Sequence, residues 1–134
     1  MNKILLASVL SFVVCKIVKT IVNLCVSHVD FKKALFGGGS MPSTRAGGVI
    51  ALVYSTGVVE GIQGFEFAVA VVFAFIMLFD SVYVRKEVEK HSNILKEHFD
   101  VSEYKLKQYS GHNLKQATVG GLIGLFVAIV VCLV

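Results

Sequence analysis

The chain carries a set of side chains whose chemistry fits the binding and transfer of a phosphate group. Cations neutralise phosphate charge, hydroxyls donate hydrogen bonds to its oxygens, and a histidine can attack phosphorus or transfer a proton near neutral pH. The sequence context of the histidine also fits an ordinary residue at a membrane interface. The cations are Lys16, Lys19, Arg45 and Arg85, the carboxylate is Asp80, and the hydroxyls and the histidine are Ser43, Thr44 and His112.

A glycine-rich segment lies at the centre of this set. Residues 36–49 read Phe-Gly-Gly-Gly-Ser-Met-Pro-Ser-Thr-Arg-Ala-Gly-Gly-Val. Consecutive glycines, among them Gly38 and Gly39, allow several backbone N–H groups to turn toward one point. Ser43 or Thr44 can cap the helix that follows, whose N-terminus and adjacent guanidinium would bind an anion. A tight turn between two membrane helices is the other interpretation of the same residues.

Two lysines and an amide share one face of the first apolar segment. Lys16, Lys19 and Asn23 are spaced i, i+3 and i+7, which places them together on a helix. A lysine within the hydrocarbon costs about 2.5–3.5 kcal/mol on insertion scales unless it pairs or reaches the interface. We favour the interpretation that this face points into the protein, where it meets an anion or a partner. The other interpretation is that the lysine side chains snorkel toward the nearer membrane interface.

Asp80 and Arg85 lie five residues apart at the end of another apolar segment. Three roles remain open for Asp80: an ion pair with Arg85 at the helix end, the orientation of a histidine, and metal binding. Cys15, Cys25 and Cys132 are odd in number, lie in apolar segments and lack metal-ligand spacing, so we interpret them as reduced packing residues. No cofactor is expected.

The composition predicts an all-α, polytopic membrane bundle in a single domain. The 134 residues are 55% hydrophobic and only 16% charged, and the mean hydropathy is +0.75. The net charge of +4 then fits a charge bias at the membrane surface better than nucleic-acid binding. We expect a glycine-rich re-entrant loop and a cytoplasmic amphipathic segment over residues 85–99. The predicted spans are about 4–26, 46–59, 67–84 and 117–134.

Basic residues are concentrated in two connections, 27–45 and 85–116. The positive-inside rule therefore places both connections in the cytoplasm and both termini outside, in a multi-pass protein of the cell membrane. In this orientation Arg45, Asp80 and His112 all lie at cytoplasmic helix ends.

Three blocks of sequence together resemble a known family. They are Gly39-Ser-Met-Pro-Ser-Thr-Arg45, then Leu78-Phe-Asp-Ser-Val-Tyr-Val-Arg85, then Gly111-His112 with Gly120 and Gly124. In this order and spacing they are similar to the divergent branch of the type-2 phosphatidic acid phosphatases (PAP2). These membrane proteins are related to acid phosphatases and vanadium-dependent haloperoxidases. The lysine of the family's first helix matches Lys19, and Lys16 stands where an amide is usual.

The resemblance implies hydrolysis of a lipid phosphomonoester without a metal. It implies that His112 is the nucleophile, that Asp80 orients a histidine or a cation, and that Lys19 and Arg85 hold the phosphate together with the Gly38–Gly39 backbone. Arg45 replaces the family histidine that protonates the leaving oxygen, and arginine stays charged and cannot donate that proton.

The alternative is therefore a non-catalytic protein that binds phosphate or an anionic lipid, or that supports a partner. An oligomeric channel with inward charges is a third hypothesis. Membrane lipids and a lipid phosphate are the expected partners, and a homodimer would help to enclose the site.

Overall fold

The computed structural model describes residues 2–27, 41–99 and 114–134, and these ranges contain helices and no strand. Helix α3 has three parts: an α-helix at Phe65–Phe79, a π-helical turn at Asp80–Val84 and an α-helix at Arg85–His98. The prediction of an all-helical fold is confirmed. The four helices of these ranges are α1 (Lys3–Ser27), α2 (Thr44–Val59), α3 (Phe65–His98) and α4 (Leu114–Leu133).

Three of these helices, α1, α3 and α4, are long and apolar enough to cross a membrane. Large apolar side chains cover their outer surfaces; Phe75 and Phe126, for example, are 70% and 68% exposed. Helix α2 has 16 residues, a length of roughly 24 Å against a hydrocarbon core of roughly 30 Å. The chain is therefore an integral membrane protein whose described residues form three helices long enough to span and one shorter apolar helix.

Helix α2 is central to the bundle because it contacts α1, α3 and α4. Its contacts are made by small residues. One buried cluster joins Ala7 of α1, Ala51 of α2 and Ala128 of α4. Such side chains let helix backbones approach closely, which is how helices associate in a membrane. A second cluster joins Ala46, Val82 and Ala117.

Two glycines fix α4 against α2. A Cβ at Gly120 would overlap the backbone of Ser43, and a Cβ at Gly124 would overlap the backbone of Gly47. The Ser11 hydroxyl of α1 donates a hydrogen bond of 3.2 Å to the carbonyl of Gly124. The start of α2 is thus held between α1 and α4.

The buried face of α1 follows a four-residue spacing. Four residues turn a helix by only about 40° beyond one full turn, so residues at this spacing lie on one side of it. The buried residues at this spacing are Ala7, Ser11, Cys15, Lys19 and Asn23. This face is small and apolar at its start and becomes polar toward the C-terminus of α1. This face lies against the start of α2. A Cβ at Gly47 of α2 would lie 2.5 Å from the sulfur atom of Cys15.

The span predicted to end at residue 84 runs directly into the amphipathic segment predicted from residue 85, so the two form one helix. The continuity comes from the π-helical turn, in which the Arg85 N–H donates to the Asp80 carbonyl. In the turn after α2, Gly61 has a φ of 88°. The predicted amphipathic segment is helical over Arg85–His98 and has no buried residue.

Candidate anion site

Lys19 is the buried centre of a cluster of cations. It lies on the inward face of α1 and is only 7% exposed. The charges of Lys16, Arg85 and Arg45 all act on it, which places three cations from α1, α3 and α2 within electrostatic range of Lys19. A buried ammonium group is costly unless a counter-charge accompanies it.

Arg45 reaches the cluster from the first turn of α2. Ser43 caps this helix: its hydroxyl oxygen accepts a hydrogen bond of 3.4 Å from the Ala46 N–H. The Ser43 N–H in turn donates to the Gln116 carbonyl of α4 at 3.2 Å. Of the two capping residues left open by the sequence, Ser43 is the cap and Thr44 is the first helical residue. Ser43 therefore holds Arg45 in position.

Asp80 brings a single negative charge to the cluster. Its Oδ2 lies 3.4 Å from Nη1 of Arg45, and the two side chains are 45% and 36% exposed. Of the three roles considered for Asp80, the structure thus provides an ion pair, with Arg45 of α2 as the partner.

The π-helical turn decides where Arg85 lies. Residues five apart in a regular α-helix differ in direction by about 140°. A π-helical turn bonds residue i to residue i+5, so Asp80 and Arg85 lie one above the other on the same side of α3. The turn therefore directs Arg85 toward α1 and α2, where its charge acts on both Lys19 and Arg45.

Among the described residues, the resulting cluster places three cations and the carboxylate of Asp80 around the buried Lys19. The N-terminus of α2 adds a partial positive charge beside Arg45. Cations in this arrangement attract an anion with several acceptor oxygens, because each cation donates to a different oxygen. A phosphate group has this character. Within the described residues, no group of three or more His, Cys, Asp or Glu side chains could hold a metal ion.

The structure brings together five of the side chains that the sequence selected: Lys16, Lys19, Arg45, Asp80 and Arg85. The predicted nucleophile and glycine backbone groups lie outside the described residues; these are His112, Gly38 and Gly39.

Two further buried polar residues lie beside the cluster, one that the sequence placed on the shared face with the lysines and one that it did not indicate. Asn23 lies one helical turn beyond Lys19 on α1 and is 7% exposed. Ser81 follows Asp80 in the π-helical turn, and its buried hydroxyl oxygen has no hydrogen-bond partner among the described residues. The spacing of polar residues on α1 identifies Asn23 from the sequence. No sequence pattern identifies Ser81, because a π-helical turn changes which side of the helix a residue faces.

Comparison with known proteins identifies the family. The model of the Divergent PAP2 family matches residues 1–127. The chain belongs to this family. The family predicted from the three sequence blocks is therefore confirmed. A curated relative of the divergent PAP2 chain is the uncharacterized membrane protein YuiD of Bacillus subtilis (strain 168). It is 25% identical over 144 aligned positions, which include 94% of this chain and 91% of YuiD. No solved structure matches the chain.

Proposed function

We propose that this divergent PAP2 protein hydrolyses a lipid phosphomonoester whose phosphate group binds at the cation cluster. The observation that carries the proposal is the convergence of three other cations, one from each of α1, α2 and α3, on the buried Lys19. An uncompensated ammonium in apolar surroundings is unfavourable, and a phosphate dianion would supply the missing charge.

The proposed reaction proceeds through a phosphohistidine at His112. The imidazole nitrogen attacks phosphorus, the bond from phosphorus to the lipid oxygen breaks, and that oxygen takes up a proton. Water then attacks the phosphohistidine, releases inorganic phosphate and regenerates the imidazole. Lys16, Lys19 and Arg85 would stabilise the charge on the phosphoryl oxygens during both steps. Asp80 would orient Arg45 through their ion pair.

The test is phosphate release from phosphatidic acid by the purified full-length protein, with His112→Ala as its matched variant. We expect release by the native chain and a large loss in the variant. Equal rates in the two proteins would rule out His112 as the nucleophile. Binding of inorganic phosphate, measured as a rise in the thermal midpoint, reports separately on the cation cluster.

The second candidate is a non-catalytic binder of phosphate or anionic lipid, and the Arg45–Asp80 ion pair favours it. Arg45 stands at the position where the wider PAP2 family has its proton-donating histidine, and an arginine paired with a carboxylate remains a cation. General acid catalysis typically contributes about 10²–10⁴ in rate. Activity that is created in Arg45→His from an inactive native chain would identify the protein as a binder. Activity that falls in Arg45→His would identify an enzyme that uses the arginine.

The topology proposed with this function has four spans, with both long connections and the site at the cytoplasmic side of the cell membrane. The glycine-rich connection before α2 would re-enter the membrane and contribute backbone N–H groups to the phosphate. The short α2 supports this arrangement because its N-terminus would lie below the membrane surface. A homodimer that encloses the site remains a prediction, as does the assignment of membrane lipids as the partners.

A further inference from the structure

A groove leads away from the cation cluster into the apolar part of the bundle. It has a volume of about 290 Å³ and lies between α1, α2 and α3. Arg45 lines it at the end nearest the cluster, and its remaining walls are almost entirely apolar. The groove extends about two turns along α2, to Leu52, and its other main walls are Val9 and Phe12 of α1 and Phe73 and Met77 of α3.

The groove opens on the surface that faces lipid. Val9, Phe12 and Phe73 are 53%, 45% and 47% exposed, so their side chains border the opening instead of closing it. An apolar chain in the bilayer could therefore enter from the side, between α1 and α3. It would not need to cross the polar cluster.

Gly48 keeps this groove open. A Cβ at Gly48 would lie 3.8 Å from the Cβ of Phe12 and 3.8 Å from the carbonyl oxygen of Ser8, which are ordinary contacts. Backbone packing therefore does not require a glycine here. A larger side chain at this position would instead fill the groove.

A second groove of about 450 Å³ provides an internal comparison. It lies between α3 and α4, with Ile50 of α2 also in its wall, and none of its described lining residues is charged. Gly121 lies in its wall, where an added Cβ would be 3.4 Å from Cγ1 of Ile50. The two grooves thus differ in their access to a cation, and each contains a glycine that can be enlarged.

We propose that the groove beside Arg45 binds an acyl chain of a lipid phosphate whose phosphate group lies at the cation cluster. The inference rests on the proposed function, and it adds the location of the chain and the side from which the lipid enters. Such a lipid has an anionic end and an apolar end, and this groove joins a cation to an apolar channel that is open to the bilayer. The larger groove has more room, but its described lining residues include no cation, so it is less suited to an anionic lipid.

The first experiment compares Gly48→Leu with Gly121→Leu in the purified full-length protein. Two ligands are used: dioleoyl phosphatidic acid, by displacement of a fluorescent analogue, and inorganic phosphate, by the shift in the thermal midpoint. We expect Gly48→Leu to weaken phosphatidic acid binding at least about tenfold, as expected when about two methylene groups lose their burial. Phosphate binding should not change in either variant, and Gly121→Leu should bind phosphatidic acid as the native chain does. Equal effects of the two substitutions, or a larger effect of Gly121→Leu, would overturn the proposal.

The second experiment uses the native chain and does not depend on the folding of a variant. A phosphatidic acid with a photoactivatable diazirine in its acyl chain is crosslinked to the protein, and the labelled peptides are mapped by mass spectrometry. We expect labels at Phe12, Leu52 or Met77. Labels confined to α4 or spread evenly over the exposed surface would overturn the groove assignment.

The two experiments separate failure of the groove from failure of the cation site. Phosphate binding that requires Lys19, together with labels outside the groove, would leave the cation site in place and reject the groove. Labels within the groove that persist in Lys19→Met would support the groove and reject the cation cluster as the phosphate site. A native chain that binds no phosphatidic acid would reject both.

Discussion

Lys19 illustrates the conflict between stability and binding in this protein. It is buried on the inward face of α1 and lies within range of three other cations. A lysine in such surroundings weakens the fold when no anion is bound, since burial and like charges both oppose its charge. Its presence is explained if a bound anion supplies the counter-charge.

Replacement of this lysine separates the two effects. We expect Lys19→Met to raise the thermal midpoint of the phosphate-free protein, because methionine fills a similar volume without a charge. We expect the affinity for phosphate to fall at least about tenfold, the loss of one charge-assisted hydrogen bond. Both are measured by thermal unfolding over a phosphate titration.

Lys16→Met is the matched control for this substitution, since Lys16 lies one turn away on the same helix and is half-buried. Its effect on phosphate affinity should be smaller. A Lys19→Met protein that binds phosphate as tightly as the native chain would contradict the assignment of the buried lysine.

At the residue scale, the sequence identified the charged side chains but not all of their relations. The i, i+3, i+7 spacing on α1 correctly predicts one shared face, because a single helix has a fixed period. Helical spacing does not identify the ion-pair partner of Asp80. Arg45 lies 35 residues earlier on another helix, and a contact between helices depends on how they pack.

At the scale of a helical element, the π-helical turn at Asp80–Val84 positions Arg85. Its extra residue keeps Asp80 and Arg85 on one side of α3, and removal of that residue would leave them four apart in a regular α-helix. Residues four apart also share a face. We therefore expect deletion of Tyr83, which is 58% exposed, to retain phosphate binding.

Arg85→Met in the Tyr83-deleted chain is the control, because it removes the charge that the deletion is expected to leave in place. This variant should bind phosphate more weakly than the single deletion, measured by the phosphate-dependent thermal midpoint. Loss of binding in the single deletion itself, or equal binding in the two variants, would show that Arg85 no longer reaches the cluster.

The contact between α2 and α4 is the second feature at this scale. We expect Gly120→Ala to destabilise the fold by about 1–3 kcal/mol or more, because its Cβ would overlap the Ser43 backbone. The same variant should bind phosphate more weakly, since Ser43 positions the start of α2 and with it Arg45.

Gly121→Ala is the adjacent control, because its Cβ would meet only the Ile50 side chain at an ordinary distance. Thermal unfolding in detergent, followed by circular dichroism, measures both variants. Equal midpoints for the two would contradict close backbone packing at Gly120.

The elements themselves were largely predictable. Runs of apolar residues indicated the approximate position of each helix. The π-helical turn was not predictable, because its backbone pattern leaves no period in the sequence. The central position of α2 could not be predicted from the sequence either, since it depends on contacts among all four helices.

At the scale of the whole molecule, the short length of α2 and the positions of the basic residues both place the cation cluster near one surface of the membrane. A helix of roughly 24 Å cannot cover the roughly 30 Å hydrocarbon core. If its C-terminus reaches the outer surface, its N-terminus and Arg45 lie several Å below the opposite one. The cation cluster would then occupy a recess that the lysines of α1 and the π-helical turn of α3 also border.

The side of the membrane on which this recess opens is the last prediction. Basic residues are concentrated in 27–45 and 85–116, whereas Glu60 lies in the turn after α2 and Glu66 in the first turn of α3. Because basic connections are retained in the cytoplasm, we expect the recess to open there and both termini to lie outside. Reporter fusions in a bacterial host measure this directly. Alkaline phosphatase should be active when fused after Val134 and inactive when fused after Phe99, with the opposite pattern for green fluorescent protein. The reversed pattern would place the site outside and would exclude a phospholipid of the inner leaflet as its substrate, while the same reporter response at both positions would contradict a membrane-crossing α4.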